Sequence, residues 1–290
     1  MRARARRGAA AENDVASYPI DFDQGAFRRL VLKVMASVRG VPRGSERLGG
    51  TCLAERLSHH VRLSAGEQAA LDRLEAQERP YRRGSVIIGE NEAQRELFIV
   101  RDGWLHSSVV LGNGSRQIMR FHFQGDVVGL PLLAFRDSPE TITAVTDGAL
   151  SPFSRERLAG LIADHPRLAA LLLALAVAGR VSLADRLASI GRTSARARVA
   201  SLLCEIHRRM QVLGLAAGGT IQLPLTQEDI GDATGLTAVH VNRMMRGLAD
   251  DGVIERSGSQ LKVLDEGRLC AEANFLDRHG LETSWLPPPR

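Results

Sequence analysis

Few residues in this chain have the types and spacing that chemistry needs. Its three cysteines, Cys52, Cys204 and Cys270, are far apart and odd in number, and no Cys-X-X-Cys pair occurs. That pattern suggests neither a zinc site nor a disulfide framework. Cys204, in a stretch of helical character, reads as a small core residue rather than a redox switch. His106 and His122 fall on neighbouring strand-like runs, where the register decides whether they share a face. Two histidines without a third ligand are weak grounds for a metal or haem, so no metal site and no cofactor are expected. The chain has no phosphate-binding glycine loop, no Gly-X-Ser-X-Gly and no His-Glu-X-X-His. No catalytic residue is nominated and no enzymatic activity is expected.

The constellation that does stand out is TQEDIGDATGLTAVHVNRMM, Thr226 to Met245. Thr226 followed three residues later by Asp229 has the spacing of a capping box, which predicts a helix start. Ile230 and Ala233 point inward, and Gly231 is small where a second helix must cross closely. Gly235 sits at the break, where a positive φ suits glycine. Leu236 plugs the corner, and Thr237 is placed to cap the second helix. Val241, Met244, Met245 and Leu248 give that helix a buried stripe, leaving Ala238, Val239, His240, Asn242 and Arg243 exposed at its start. This is the build of a helix-turn-helix, whose second helix offers its N-terminal side chains to base edges. The run GVIERSGSQLKVLD that follows reads as two short strands around Ser257, Gly258 and Ser259, a wing.

The elements that must carry this unit are legible in outline. Residues 1–50 are expected to be a basic, disordered extension, with one amphipathic piece from Phe27 to Val38. Residues 51–163 begin with a helical lead-in capped by Ser64 and Glu67. They continue as glycine-punctuated runs: SVIIG, ELFIVRDG, WLHSSVVLGNGS, RQIMRFHFQGD, VVGLPLLAF and TITAVTDGAL. Asn113-Gly114 marks a hairpin. Met119, Phe121 and Phe123 are expected on one face, with Arg120 and His122 on the other. Strands so spaced predict a small sandwich or jelly roll. Residues 164–191 are expected to form one long helix from Pro166. Leu168, Leu172, Leu175, Gly179, Leu183, Leu187 and Ile190 make a stripe on it at steps of three or four. A single helix between two domains has little of its own chain to cover it, so pairing with the same helix of a second chain is expected. The winged unit is placed at 192–268 and a tail at 269–290. The fold class is therefore α+β.

A net charge of +5 and a sequence pI of about 9.7 make an acidic polymer a plausible partner without establishing one. Nearly all the positive charge is arginine, the only lysines being Lys33 and Lys262. The N-terminus MRARARRGAAAEND lacks an apolar run after its basic residues and is not a secretory signal. The longest apolar run, Leu168 to Ala178, is too short to span a bilayer. A reducing cytoplasm fits the cysteine count.

The segment LPLTQEDIGDATGLTAVHVNRMMRGLADDGVIER resembles the DNA-binding domain of the Crp/Fnr family of bacterial transcription regulators. FIVRDGWLHSSVVLGNGSRQIMRFHFQGDVVG resembles that family's β-roll sensor, with its turn at Gly125, Asp126 and Gly129. HPRLAALLLALAVAGRVSLADRLASIGRTSARARVASLL resembles its dimerisation helix. The likeness spans roughly residues 55–268. It implies an N-terminal jelly-roll-like β-roll sensor, a long dimerisation helix and a C-terminal winged helix-turn-helix. It also implies a homodimer on a palindromic promoter site, with RNA polymerase as a candidate partner and the effector unnamed. The DNA-contacting set carried onto this chain is Thr226, Gln227, Thr237, Ala238, Val239, His240, Asn242, Arg243, Arg246, Ser257 and Ser259. A ligand-sensing protein whose helix-turn-helix takes a protein partner is the alternative, motivated by the small apolar Ala238 and Val239.

The chain departs from the family where cyclic AMP is held. Members that bind it carry Gly-Glu after the turn, then an arginine for the cyclic phosphate. Here Gly129 is followed by Leu130 and Pro131, and Glu140 stands near the expected place of the arginine. A buried phosphate there would lack its charge partner, so independence from cyclic AMP is expected. Cys52 stands alone, without the N-terminal cysteine cluster of the oxygen-sensing branch, so an iron–sulfur centre is not expected. Val239 occupies a place where the family often has a glutamate that accepts from cytosine, so the half-site should differ.

Overall fold

Short runs of β-branched and aromatic residues, each closed by a glycine, give the N-terminal half its strands. The computed structural model describes residues 51–275, 278 and 280–288. The expected basic extension and the piece from Phe27 to Val38 lie outside them. Helices α1 (Cys52–Ser58) and α2 (Ala65–Leu74) come first. Ser64 and Glu67 form the expected capping box, the Glu67 carboxylate accepting from the Ser64 N–H at 2.8 Å.

Eight strands follow: β1 (Arg79–Tyr81), β2 (Val86–Ile88), β3 (Glu96–Asp102), β4 (Leu105–Val110), β5 (Arg116–His122), β6 (Val127–Val128), β7 (Thr141–Ala144) and β8 (Gly148–Ser154). They pair antiparallel in two sheets, ordered β1-β8-β3-β6 and β2-β7-β4-β5. Ile88, Phe98, Leu105, Leu132, Ile142 and Leu150 fill the space between them. At the β4–β5 turn Gly114 takes φ +84°. The Leu111 carbonyl accepts from the Gly114 N–H at 2.8 Å, and the Leu111 N–H donates to the Ser115 carbonyl at 2.9 Å. The connection is thus a three-residue loop with its glycine at the left-handed position.

Two strand expectations need correction. In VVGLPLLAF only Val127 and Val128 pair; Gly129 turns the chain at φ +83° into a 3-10 turn over Leu130–Leu133. Pro131 has no N–H to give a ladder. The face expected for Met119, Phe121 and Phe123 is also broken. Ser107 pairs with Arg120 and Ser108 with Ile118, so Met119 is the extra residue of a bulge. Ile118 and Phe121 are therefore both buried, and Met119 is half-exposed.

Helix α3 (Arg155–Asp164) starts at a Ser154 cap and leads to α4 (Pro166–Arg192), with proline in its first turn. At 27 residues, α4 is long and apolar enough by length and composition to cross a membrane, which the run Leu168 to Ala178 alone is not. Its first turns are built into this chain, however. Leu168 and Leu171 are fully buried against Leu53, Leu57, Leu71 and Phe153.

Helix α5 (Ala195–Val212), strand β9 (Thr220–Gln222), helices α6 (Gln227–Thr234) and α7 (Ala238–Asp250), strands β10 (Ile254–Ser257) and β11 (Gln260–Val263) and helix α8 (Glu266–Ala273) follow among the described residues. The wing is three-stranded, ordered β10-β11-β9. Strand β9 is too short to show a period in the sequence. The boundary expected at residue 268 falls inside α8, whose Asp265 cap accepts from the Arg268 N–H at 2.9 Å. Helix α8 packs along α5 and brings Cys270 to Cys204, with Cα atoms 6.1 Å apart and the sulfurs joined as a disulfide. This corrects the expectation that no two cysteines are linked. The pair is 66 residues apart and has no local spacing to betray it. Trp104, Ile118, Phe121 and Phe123 of the β-roll share one core with Leu203, Ile206, Ile230, Val241, Leu248, Leu261 and Leu269.

Candidate nucleic-acid interface

The two helices of the motif meet as the sequence predicts. Thr226 accepts from the Asp229 N–H at 3.0 Å, and the Asp229 carboxylate accepts from the Thr226 N–H at 3.0 Å. Gly235 takes φ +67° and ends α6. A Cβ on Gly231 would run into the Leu236 carbonyl oxygen, so the corner tolerates only glycine there. Thr237 caps α7, its hydroxyl accepting from the His240 N–H at 3.4 Å and lying 3.1 Å from His240 Nδ1. Val241, Met245 and Leu248 are buried, and Met244 is half-buried.

Helix α7 presents the remaining candidates outward. Thr237, Val239, His240, Arg243 and Arg246 are exposed, Val239 at 79%, while Ala238 and Asn242 are half-buried. Neither Arg243 nor Arg246 has an ion pair with a described residue. At the start of α6, Thr226 is exposed and Gln227 half-buried, and the Thr226 hydroxyl is engaged in its cap. Ser257 and Ser259 flank the wing turn, both exposed, with Gly258 at φ +59°. The Leu223 N–H donates to the Ser259 carbonyl at 2.6 Å, and Arg256 donates to the Leu225 carbonyl at 3.2 Å. These bonds tie the wing to the entry of α6.

The stripe on α4 is divided. Leu168 is fully buried in its own chain, and Gly179 lies against the Arg120 guanidinium. Leu172 and Leu175 are half-buried on the β-roll core. Leu168 and Gly179 are therefore unavailable to a second chain, a correction of the single stripe expected from the sequence. The large apolar side chains exposed on α4 are Leu173 at 60%, Val177, Leu183 and Leu187 at 73%. Ile190 is half-buried. Sequence spacing finds the helix but not its phase, because the β-roll captures its first turns.

Behind the motif lies a joint that the sequence does not announce. Asp126, 1% exposed, receives both Arg209 from α5, at 2.8 Å to each oxygen, and Arg56 from α1. Arg120 stands 3.9 Å away, and the Arg209 guanidinium lies 4.8 Å from the centre of the Phe123 ring. Burial would raise the Asp126 carboxyl, but Arg209, Arg56 and Arg120 outweigh it and hold it far below the ordinary carboxylate range. A second contact joins β5 to α6. Arg116 reaches Asp229 at 3.0 Å and Asp232 at 2.7 Å.

The register settles the two histidines. His106 pairs with Phe121 and His122 with Leu105, so His106 and His122 lie on opposite faces of β4–β5. Burial, then Arg116, pushes His106 down to about 4. Burial, then Arg120, pushes His122 down to about 3, and neither ring nitrogen of His122 finds a partner among the described residues. Arg116, Asp126 and Arg209 escape sequence reasoning because their partners lie far away in the chain.

Comparison with known proteins places this geometry. Residues 197–272 match the family model for the Crp-like helix-turn-helix domain, and residues 78–165 match the cyclic nucleotide-binding domain. The chain is 30% identical over 193 residues to the nitrogen fixation regulation protein FixK of Bradyrhizobium diazoefficiens, covering 66% of this chain and 79% of the relative. It is 26% identical over 226 residues to the transcriptional activator protein FnrA of Stutzerimonas stutzeri, covering 78% and 90%. The structure of FixK2 from Bradyrhizobium japonicum superposes with a TM-score of 0.62 at 31% identity, covering 67% of this chain and 96% of that one. Such relatives do not favour a helix-turn-helix turned to a protein partner. With a β-roll, a long helix and a winged helix-turn-helix in this order, the chain belongs to the Crp/Fnr family of DNA-binding transcription regulators.

Proposed function

We propose that the protein acts as a homodimer on a palindromic site, with one α7 in each of two successive major grooves about 34 Å apart. The observation that carries this reading is the exposed start of α7. Val239, His240, Arg243 and Arg246 stand free of ion pairs with described residues, on a helix fixed by Val241, Met245 and Leu248. Arg243 supplies a fork for guanine or phosphate, and Asn242 offers an amide to adenine. Val239 offers only apolar contact, for example to a thymine methyl. From the wing, Ser257 presents its hydroxyl to the backbone, and Ser259, whose hydroxyl donates to Gln222 at 3.2 Å, offers an acceptor beside it. Leu173, Val177, Leu183 and Leu187 form the face that a second α4 covers.

We infer further that the β-roll works without a cyclic nucleotide. Leu132 fills the interior behind Gly129, and a half-buried Glu140 hydrogen-bonded to Ser107 stands where a phosphate would need a cation. Burial pushes the Glu140 carboxyl up, and Arg120, the cation near it, is drawn to Asp126. Calorimetric titration with cyclic AMP should give no heat of binding; saturable binding would overturn this part. The regulator reading is tested by selecting bound sequences from a random duplex pool at stated salt. A two-fold symmetric motif is expected. No enrichment, either with purified protein or in cell extract, would overturn it.

A further inference from the structure

Everything on this chain proposed to touch DNA lies inside one covalent loop. The Cys204–Cys270 disulfide spans 66 residues, running from the middle of α5 through β9, α6, α7 and the wing into α8. Cys204 is 1% exposed within the shared core, and Cys270 is half-buried at its edge. Helix α8 is tied in turn to the C-terminal end of the recognition helix. Arg196 at the start of α5 bridges Asp251 at 2.6 Å and Glu272 of α8 at 2.5 Å. Arg268 of α8 donates to the Asp251 carbonyl at 2.9 Å. Asp251 is the C-cap of α7. A bond that fixes α8 on α5 therefore also restrains the helix that reads DNA.

A regulator that works on DNA meets the thiol-reducing pools that accompany it, where protein disulfides are transient or redox-sensing rather than permanent. We propose that Cys204 and Cys270 are a reversible dithiol–disulfide couple that sets how firmly the winged helix-turn-helix is held for DNA. The oxidant is a low-molecular-weight disulfide. The Cys270 thiolate, the more accessible of the two, attacks one sulfur of the reagent, forms a mixed disulfide and expels one thiol. The Cys204 thiolate then attacks the Cys270 sulfur and expels the second thiol. Two electrons pass to the reagent, and the protons of both cysteines end on the two released thiols. Cys52 serves as the internal control. It lies in the β-roll half with no cysteine near it, and burial, then Glu75, pushes its thiol up and so lowers its thiolate fraction.

The test uses the full chain equilibrated across ratios of oxidised to reduced glutathione. Thiols are counted by maleimide labelling and intact mass, and affinity is measured on a duplex from the selection above. Two thiols should disappear together in one two-electron transition, leaving Cys52 labelled. The oxidised protein should resist limited proteolysis between α7 and α8, and should bind the duplex about fivefold more tightly or better, the low end of typical coupling between two sites, because the reading head is pre-organised. Cys270→Ser and Cys204→Ala should bind like reduced protein at every ratio. Cys270→Ser, at a half-buried position, is the variant less exposed to a folding defect. Three labelled thiols at every ratio would overturn the couple. So would an oxidised form whose proteolysis and affinity both equal those of the reduced form. The affinity arm rests on the DNA-binding reading and the thiol and proteolysis arms do not. A couple that forms and protects while no duplex binds in either state would therefore count against the DNA reading alone.

Discussion

Around Asp126 the guanidinium groups of Arg56, Arg120 and Arg209 converge on one buried carboxylate, whereas on α7 Arg243 and Arg246 stand exposed with no ion pair among the described residues. The side chains are the same and their positions give them opposite work. Arginine is always charged, so what it does is decided by the carboxylates within reach. At the joint, one buried carboxylate holds α1, β5 and α5 together, and all three guanidinium groups are turned toward it. On α7 the chain places no acid in the exposed first turns, so the cations stay available. Composition alone shows an arginine-rich chain; the distribution of acids separates arginines bound into the fold from those left exposed.

The sharpest way to break this contrast is to remove the carboxylate. Asp126→Asn leaves three guanidinium groups facing each other in a buried site and should cost about 3–5 kcal/mol of folding free energy, as for other broken buried pairs. Urea or thermal melts measure it, and a loss below about 1 kcal/mol would show that the joint holds little. The histidines probe the same region by pH. His122, facing Arg120, Asp126, Arg209 and Arg56, and His106, facing Arg116, Asp229 and Asp232, have imidazoles held at about 3 and about 4 in the fold. Their unfolded value is about 6.5. A folded value below the unfolded one gives stability that is complete above about 6.5 and is lost as the pH falls toward 4. The pair should add a slope of about 3 kcal/mol per pH unit in that window. His122→Phe should remove about half of it. A flat profile between pH 6.5 and 4 would place both rings in water.

On the other side of the contrast, Arg243→Ala should weaken binding at the selected site by about 1–3 kcal/mol while leaving the melting curve unchanged. Full affinity would remove Arg243 from the reading set. Arg246→Ala sharpens the point. If Arg246 grips phosphate, the loss should be similar across sequences and the salt slope should fall by about one unit.

What the sequence disclosed follows from where the causes lie. Thr226, Asp229, Gly235 and Thr237 were legible because a cap and a left-handed turn are set by residues within four positions of one another. The long helix was legible from its period, but not its phase: Leu168 turns inward because β3 and β8 present Leu97, Ile99 and Phe153 to its end of the helix. The bulge at Met119 defeated the alternation of β5, since a bulge is visible only against the partner strand. Asp126 and Arg209 are 83 residues apart and Cys204 and Cys270 are 66 apart, so neither pair leaves a spacing to read. The DNA-facing candidates were the easier half, because exposure at the start of a capped helix is a local property.

The smallest effect tests the link between the two regions. Arg116 joins the β4–β5 hairpin to Asp229 and Asp232 of α6, at 36% side-chain exposure. A pair so open to solvent contributes about 1 kcal/mol or less, and Arg116→Ala should change the melting temperature little. Its neighbour is the better reporter. Arg116 lowers the His106 imidazole while Asp229 and Asp232 raise it, so removing the cation leaves two acids acting on a ring that burial alone holds down. His106 should then titrate at a higher pH than in the wild type, as read from its ring protons by nuclear magnetic resonance. An unmoved titration would mean that the hairpin does not rest on α6 in solution. The β-roll would then meet the winged unit through Asp126, α5 and the shared apolar core, which makes Arg116→Ala the variant that decides whether this ion pair adds a link of its own.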